Sequence, residues 1–566
     1  MKISRIKELK NFCLAAAIFV AGASLTSCSS SDDIAENNQQ PVENPTAPKV
    51  YTMTIQASKG DGATTRALTL SGSTLNATWA TTENVYVQKG SDWADGSLQP
   101  QAGGTTATLK GKLSKVAINP NDELTLQFPR SGAIDYTGQV GTLDNIAANY
   151  DYATASVTVA SVNDGNITAK DDANFVNQQA IIKFTLLDDG NSGAPINPSA
   201  FTITDGTSTV ELTGLSSSTN VLYVAFPAAG SAKTVTLTAT DGDNTYIYSK
   251  SGVTFTNGQY YEITVKMYKR NVNLGSLKTN FTARDGQVLS GTLNDNYKIS
   301  IAADATVTLD GVTINGVNNS SYNWAGLTCL GNATIVLADG KTNTVKGFDY
   351  NYPGIQVGPE GSTLTIDGTG SLNASSNTES QFGEGCPGIG SGWEGTCGDI
   401  TIVGGTITAK GGTYAAGIGS GNKGTCGTIT IKGGTITAMC GFINGNGDFV
   451  AYTGGAGIGS CGGTCGDITI VGGTITAKGG VNAAGIGSGW EGECGAITIA
   501  STVSRVTATK GDTAPNSIGA GEGGSCGTVA IGGTEYWGKN DHDQYIYKNS
   551  GDSYLKQSTL VYPPVQ

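Results

Sequence analysis

A repeat of about 29 residues constrains the fold of this chain more than any other feature. Its first complete copy reads Cys-Gly-Asp-Ile-Thr-Ile-Val-Gly-Gly-Thr-Ile-Thr-Ala-Lys-Gly-Gly. Successive copies begin at Cys397, Cys426, Cys465, Cys494 and Cys526, with steps of 29, 39, 29 and 32 residues. A fixed period of this size indicates a solenoid, in which each unit buries its apolar face only against its neighbours.

Short alternating runs within each copy predict β-strands. In the first copy, Ile400, Ile402, Ile407 and Ala409 fall on one face and the threonines on the other. Gly-Gly pairs supply corners with positive φ, and a third short run at 416–420 precedes the next cysteine. Three strands and three corners per repeat predict one coil of a parallel β-helix. Its interior would hold Ile, Val, Ala and one Cys per coil.

The third run recurs beyond the complete copies and extends the coil count towards the N-terminus. Its third residues form the series Leu327, Ile355, Ile389, Ile418, Ile458, Ile486 and Ile518. We therefore predict a parallel β-helix over residues 297–535, preceded by a linker or cap at 271–296. The aromatic segment 536–566 is predicted to cap the C-terminal end of the solenoid, because the exposed edge of an uncapped solenoid can pair with other chains and aggregate.

Charge and cysteine content exclude several classes of function. The formal net charge is −13, which makes the chain a poor partner for nucleic acid. Nine of its eleven cysteines follow residue 28, an odd number that cannot pair completely within one chain. We interpret the five repeat cysteines as a stack of buried thiols. Cys461 and Cys465 lie four residues apart, but without a second pair of usable spacing we predict no metal and no other cofactor.

The N-terminus has the pattern of an export signal. Basic residues precede an apolar stretch at 12–23 and small residues before a cysteine, which predicts a signal peptide over 1–27. Leu25-Thr-Ser-Cys28 resembles the lipobox of bacterial lipoproteins, in which the cysteine is acylated. The resemblance implies lipidation of Cys28 and an outer-membrane, surface-exposed location. The alternative is ordinary secretory cleavage. Residues 28–49 are polar and predicted to be a flexible linker.

The middle of the chain predicts β-sandwiches. Clean alternation occurs at 51–57, 84–88, 155–159, 180–186, 235–240 and 261–266, with Gly, Asn and Asp between the runs. A polar stretch at 164–174 suggests a boundary. We therefore predict an all-β chain in which two sandwiches, at 50–165 and 166–270, precede the β-helix.

Residues 50–268 resemble the fimbrillin-like (Mfa-like) family of lipoprotein pilins and adhesins. The resemblance rests on four short segments in order: 63–67, 78–87, 179–186 and 257–265. It implies a cell-adhesion role at the surface, with other fimbrial subunits as partners. Because the chain ends in a bulky solenoid and not in a short donor strand, a tip or accessory position is favoured over the shaft of a fimbria. The resemblance also implies proteolytic processing between Arg66 and Ala67, which would open a groove for a strand from another subunit. The alternative is that Arg66 is an exposed hairpin residue.

Two Gly-Trp-Glu-Gly corners provide the candidate binding residues. Trp393 and Glu394 occupy one corner and Trp490 and Glu491 the other, while Tyr414 lies on a further corner. An indole face stacks well on a sugar ring, so we predict a glycan or another surface molecule as ligand. The alternative is that each tryptophan folds back over the neighbouring coil.

Parallel β-helices also include polysaccharide lyases and hydrolases, which leaves an enzyme as the competing function. Such a site needs acidic side chains from neighbouring coils that converge in a lateral cleft. The acids of the repeats occur singly at equivalent positions, for example Asp399 and Asp467. We therefore predict binding without turnover and assign no catalytic residue.

Overall fold

The computed structural model describes residues 49–59, 69–71, 74–76, 78–377, 385–443, 449–451 and 454–564. The all-β prediction is confirmed: within these ranges, helical residues occur at Leu143–Asn149, Leu274–Ser276 and Gly551–Leu555, and the other described residues form strands, turns and loops. Within these ranges, no helix combines the length and apolar character needed to cross a membrane. The predicted signal peptide, the lipidation of Cys28 and the cleavage between Arg66 and Ala67 lie outside the described residues.

The first set of strands encloses one apolar core. Alternate residues of Tyr51–Ser58, Glu123–Phe128 and Ala153–Asn163 point into it, as period-two alternation predicts. The strands of this sheet are Tyr51–Ser58, Tyr86–Lys89, Asp92–Trp93, Asp95–Pro100, Thr106–Ser114, Glu123–Phe128, Ala153–Asn163, Asn166–Ala169, Ala173–Asn174 and Val176–Asn177. Thr69–Ser71 and Thr74–Asn76 form a separate two-stranded sheet.

The polar stretch at 164–174 begins with a hairpin turn and is not the boundary between the sandwiches. Asp164 and Gly165 both have positive φ, +47° and +79°, and join Ala153–Asn163 to the antiparallel strand Asn166–Ala169. Two such residues are the preferred turn between antiparallel strands because their twist matches that of the sheet. Residues 166–177 consequently pair within the first sheet, and we draw the boundary between the sandwiches near residue 178.

The second set of strands encloses its own core and contacts the first. Its strands are Ala180–Asp188, Ala194–Pro195, Ala200–Thr204, Thr209–Thr213, Val221–Phe226, Lys233–Asp241, Asn244–Val253 and Tyr260–Lys269. The helix Leu143–Asn149 packs Ile146 and Ala147 against Ile181 and Ala225 of this sheet. Gln139 is fully buried at the same contact, where its side chain bonds the backbone N–H and C=O of Ala225, both at 2.8 Å.

The apolar core of the first set of strands contains a buried ion pair that lies next to two aromatic rings. The Lys59 ammonium lies 2.9 Å from the nearer carboxylate oxygen of Glu83, and the two residues are 3% and 1% exposed. The same ammonium is 4.0 Å from the ring centre of Trp79 and 4.9 Å from that of Phe128. Burial of two charges costs several kcal/mol each, which their mutual attraction and the rings must offset.

Replacing Lys59 with methionine should lower the free energy of unfolding by roughly 3–5 kcal/mol, because Glu83 would remain buried without a counter-charge. Chemical denaturation of the purified chain measures this. The matched control is Lys115→Met, since Lys115 pairs with Asp95 at 3.8 Å while both are largely exposed; that change should cost less than about 1 kcal/mol. Equal costs for the two variants would contradict the argument.

The C-terminal half is a parallel β-helix, as predicted, but a full coil contributes to four strand ladders and not three. The Ile-Thr-Ile ladder comprises Ala305–Asn315, Ala333–Leu337, Thr363–Gly368, Asp399–Ile402, Ile429–Ile431, Ile468–Ile470, Ile497–Ile499 and Val529–Ile531. The Thr-Ile-Thr ladder continues from Ala305–Asn315 through Thr342–Lys346, Ser371–Ser375, Thr406–Gly411, Thr435–Ile443, Thr474–Lys478 and Arg505–Thr509. Phe449–Ala451 pairs antiparallel with the end of Thr435–Ile443, in the ten-residue insertion of that coil.

The two remaining ladders are shorter. The Ala-Gly-Ile ladder comprises Phe281–Ala283, Ile299–Ile301, Leu327–Cys329, Ile355–Gln356, Ile389–Gly390, Ile418–Asn422, Ile458–Cys461, Ile486–Gly487 and Ile518–Gly519. The cysteine ladder comprises Thr425–Cys426, Thr464–Cys465, Glu493–Cys494 and Ser525–Cys526. Equivalent residues pair in register, so that the isoleucines of successive coils meet in one continuous apolar core.

The cysteines lie inside this core. Cys426, Cys465, Cys494 and Cys526 pair in register from coil to coil, as the repeat predicts. All nine cysteines of the described residues are buried thiols. Burial raises the pKa of the Cys329 thiol to about 12 and that of Cys440 to about 11, which keeps both thiols neutral and unreactive at ordinary pH.

A glycine stack lies beside the Ala-Gly-Ile ladder and consists of Gly390, Gly419, Gly459, Gly487 and Gly519. Each follows the ladder isoleucine and has φ between +125° and +148°. A Cβ atom on any of the first four would overlap the carbonyl oxygen of the glycine in the following coil. The coils can therefore approach each other here only because these residues lack a side chain.

The solenoid begins earlier than residue 297, inside the predicted linker. Asn271–Asn273 pairs in parallel with Val288–Thr292, and Phe281–Ala283 with Ile299–Ile301. These first coils lack the Gly-Gly pairs and cysteines that mark the later ones. They also contact the second sandwich: the Arg284 guanidinium pairs with Asp189 at 2.5 Å.

Antiparallel pairing ends the stack at its C-terminus. Thr534–Lys539 pairs with Val529–Ile531 and with Tyr545–Tyr547, and Thr559–Tyr562 pairs with Arg505–Thr509. Leu555, from the helix Gly551–Leu555, is 1% exposed and belongs to the solenoid core. These residues occupy the edge that a further coil would otherwise need.

Candidate ligand-binding corner of the solenoid

Trp490 and Tyr414 form an aromatic pair on the solenoid surface. Their ring centres are 6.2 Å apart with planes inclined at 49°, although 76 residues separate them along the chain. Trp490 is 39% exposed and Tyr414 is half-buried. One ring therefore supports the other without covering it, which leaves part of the indole available to a ligand.

The backbone of neighbouring coils holds this corner in place. The backbone N–H of Trp490 donates to the carbonyl oxygen of Gly454 at 2.7 Å, and the N–H of Glu491 donates to that of Glu522 at 2.9 Å. Tyr414 and Glu491 both have positive φ, +55° and +51°, an uncommon conformation for residues with a side chain. The Trp490–Glu491 segment is thus held by the coils on either side of it.

Trp393 and Glu394 form a separate corner. The ladder register puts Ile418 and Ile458 between the coil of Trp393 and the coil of Trp490, which places the two tryptophans three coils apart. Trp393 is half-buried, and its backbone N–H donates to the buried Cys386 thiol at 3.1 Å.

The other residues around this separate corner belong to the surface. Glu394 faces Lys423 at 3.8 Å, and both side chains are at least half exposed. The two Gly-Trp-Glu-Gly corners consequently do not form one site. Tyr452, a further aromatic of the sequence, lies outside the described residues.

The acids that recur with the repeat serve the scaffold. A carboxylate oxygen of Asp399 accepts the backbone N–H of Thr428 at 2.6 Å, and one of Asp467 accepts that of Ala496 at 2.7 Å. Each aspartate thus bridges its own coil to the next. Across the described part of the chain, no group of three or more His, Cys, Asp or Glu side chains could hold a metal ion.

Comparison with known proteins gives limited similarity. No protein-family model and no curated protein matches the chain. Similar solved structures include a candidate cell adhesion protein from Bacteroides uniformis, with 12% identity over 40% of this chain and 94% of that protein, at a TM-score of 0.23. A candidate cell adhesion protein from Bacteroides ovatus matches with 14% identity over 39% and 95% of the two chains, at a TM-score of 0.24.

A fimbrial protein from Bacteroides ovatus is also similar, with 8% identity over 39% of this chain and 50% of that protein, at a TM-score of 0.20. These neighbours are adhesion or fimbrial proteins by description. All three TM-scores lie below 0.5.

Proposed function

We propose that this chain is a cell-surface adhesin of the fimbrillin-like type, held in the outer membrane by a lipid on Cys28. Its solenoid binds a glycan at the Trp490–Tyr414 corner. The observation that carries the proposal is the partly exposed indole of Trp490, supported by the Tyr414 ring and by backbone hydrogen bonds from neighbouring coils. A rigid, exposed aromatic face of this kind favours stacking against a sugar ring.

The sandwiches connect this surface to the membrane. Processing between Arg66 and Ala67 would release the chain from its anchor and allow a tip or accessory position among other fimbrial subunits. The bulky solenoid supports an end position, because it adds many coils beyond the sandwiches where a short donor strand would otherwise follow.

Replacing Trp490 with alanine should weaken glycan binding about tenfold, the equivalent of about 1.4 kcal/mol of lost stacking. A glycan array probed with the chain from residue 29 onwards measures this, beside Tyr414→Ala, Trp393→Ala and the double variant of both tryptophans. Val471→Ala is the matched control, since Val471 is likewise 39% exposed on the solenoid. No signal from the wild-type chain, or an unchanged signal from Trp490→Ala, would refute the corner as a binding site.

A further inference from the structure

A groove of about 780 Å³ lies at the C-terminal end of the solenoid. The last coils form one wall with residues such as Ile518, Cys526 and Val529, and the antiparallel C-terminal residues form the other with Trp537 and Tyr545. This volume is within the range of about 300–1,000 Å³ that is typical of sites for small ligands. The groove contains none of the corner residues described above.

Three aromatic rings line the groove from the C-terminal hairpin. Trp537 and Tyr545 are stacked, with ring centres 6.0 Å apart and planes inclined at only 12°. Tyr547 meets the Trp537 ring edge-on at 4.7 Å. Tyr545 remains 40% exposed. The hairpin thus presents a flat aromatic platform at the groove, the type of surface on which the apolar face of a sugar ring packs.

Polar groups accompany the platform. The Tyr547 hydroxyl donates to the side-chain oxygen of Asn516 at 2.8 Å, while the amide nitrogen of Asn516 donates to the Ala520 carbonyl at 3.1 Å. The indole nitrogen of Trp537 is buried, and within the described part of the chain it has no hydrogen-bond partner. Because this atom is closed to solvent, a ligand in the groove does not reach it, and the polar contacts of the groove come from Asn516 and the backbone.

The charge of the groove restricts the ligand. Among the described residues that line it, Glu493 alone carries a charge. Lys539 lies 5.9 Å from the ring centre of Tyr545, but it pairs with Asp543 at 3.5 Å and does not line the groove. An anionic ligand would therefore meet only a carboxylate, whereas a neutral ligand with hydroxyl groups meets aromatic faces, amides and backbone.

We propose that this groove binds a neutral oligosaccharide, with one sugar ring stacked on the Trp537–Tyr545 platform and its hydroxyl groups directed at Asn516 and the backbone. The inference deepens the proposed function and depends on the solenoid being a carbohydrate-binding domain. The groove would be a second carbohydrate site, at the C-terminal end of the solenoid and separate from the Trp490–Tyr414 corner on its side.

Tyr545 and Ile546 offer a matched test of this groove. They are consecutive residues of one strand, both are 40% exposed, and only Tyr545 lines the groove. Tyr545→Ala should weaken binding of short neutral oligosaccharides about tenfold, Ile546→Ala should leave it unchanged, and Tyr545→Phe, which keeps the ring, should retain it. Titration followed by tryptophan fluorescence and calorimetry measures the affinities, and thermal unfolding shows that each variant is folded.

Trp490→Ala in the same titrations separates the two sites. Loss of binding in Tyr545→Ala with retention in Trp490→Ala supports the groove and overturns the corner. Loss in Trp490→Ala with wild-type affinity in Tyr545→Ala overturns the groove and leaves the proposed function intact. Equal weakening by Tyr545→Ala and Ile546→Ala overturns the groove as well. A wild-type chain that binds none of these sugars overturns both.

Discussion

Replacing Gly459 with alanine should lower the free energy of unfolding of the solenoid by roughly 5 kcal/mol or more, a loss that few single substitutions reach. The new Cβ would overlap the carbonyl oxygen of Gly487 in the following coil. The backbone fixes the position of the Cβ, and the oxygen is itself a backbone atom, so no change of rotamer relieves the overlap. The two coils must separate, and the hydrogen bonds of the ladder between them are lost with the contact.

Gly519→Ala is the matched control for this change. Gly519 occupies the same stack position in the last coil and has a similar φ of +125°, against +135° for Gly459. The nearest atom to its added Cβ is the Asn516 Cβ at 3.6 Å, an ordinary contact. The free energy of unfolding of Gly519→Ala should therefore fall only by the strain of a positive φ at alanine, of order 1–3 kcal/mol. Similar losses for both variants in chemical denaturation would show that inter-coil overlap has no part in the effect.

Alkaline pH should destabilise the solenoid steeply, through its buried thiols. Burial raises the pKa of Cys329 from 9.0 to about 12 and that of Cys440 to about 11. The unfolded chain loses these protons near pH 9, whereas the folded chain keeps them. Stability is therefore fully present below pH 9 and falls as the pH rises towards the folded values. Each such thiol contributes a loss of about 1.4 kcal/mol per pH unit.

Cys386 and Cys461 add to the same effect, because burial also raises their pKa values. Hydrogen bonds with the thiols of Cys426 and Cys526, followed by burial, raise the pKa values of Cys397 and Cys494. The Cys397 thiol lowers the pKa of Cys426, but the Cys465 thiol and burial raise it well above its usual value overall. Urea denaturation under reducing conditions between about pH 8 and 10.5 measures the slope. Cys329→Ala should reduce that slope by about 1.4 kcal/mol per pH unit, whatever its cost at neutral pH. A stability that is flat across this range would contradict the account.

The sequence predicts the solenoid well because its information is local and repeated. A buried Ile faces the equivalent Ile of the next coil, so one copy of the pattern in the chain defines the register of all the others. The buried cysteines follow from the same argument. The early coils at Asn271–Asn273 and Phe281–Ala283 are not predicted from the repeat, because they contain the apolar residues of a coil but lack its Gly-Gly pairs and its cysteine.

The candidate sites depend on distances across the chain that no local pattern encodes. The contact of Tyr414 with Trp490 passes over Gly454, whose missing side chain leaves room for the tyrosine ring. The position of that glycine depends on how the ten-residue insertion folds. The groove lies between the last coil and the C-terminal cap. The aromatic residues of the tail predict the cap, but no pattern in the sequence predicts the space that separates it from the last coil.

Successive coils present equivalent surfaces to their neighbours, and this has a genetic consequence. Thr464 faces Glu493, Cys465 faces Cys494 and Ile468 faces Ile497, so residues 465–493 form one unit whose two boundaries are equivalent. An in-frame recombination that removed these residues would join Thr464 to Cys494 and bring Ile429 opposite Ile497. The same contacts between coils would form again, in a solenoid that is one coil shorter. The length of this domain can therefore vary between descendants of one gene while the sandwiches at one end and the aromatic tail at the other are preserved.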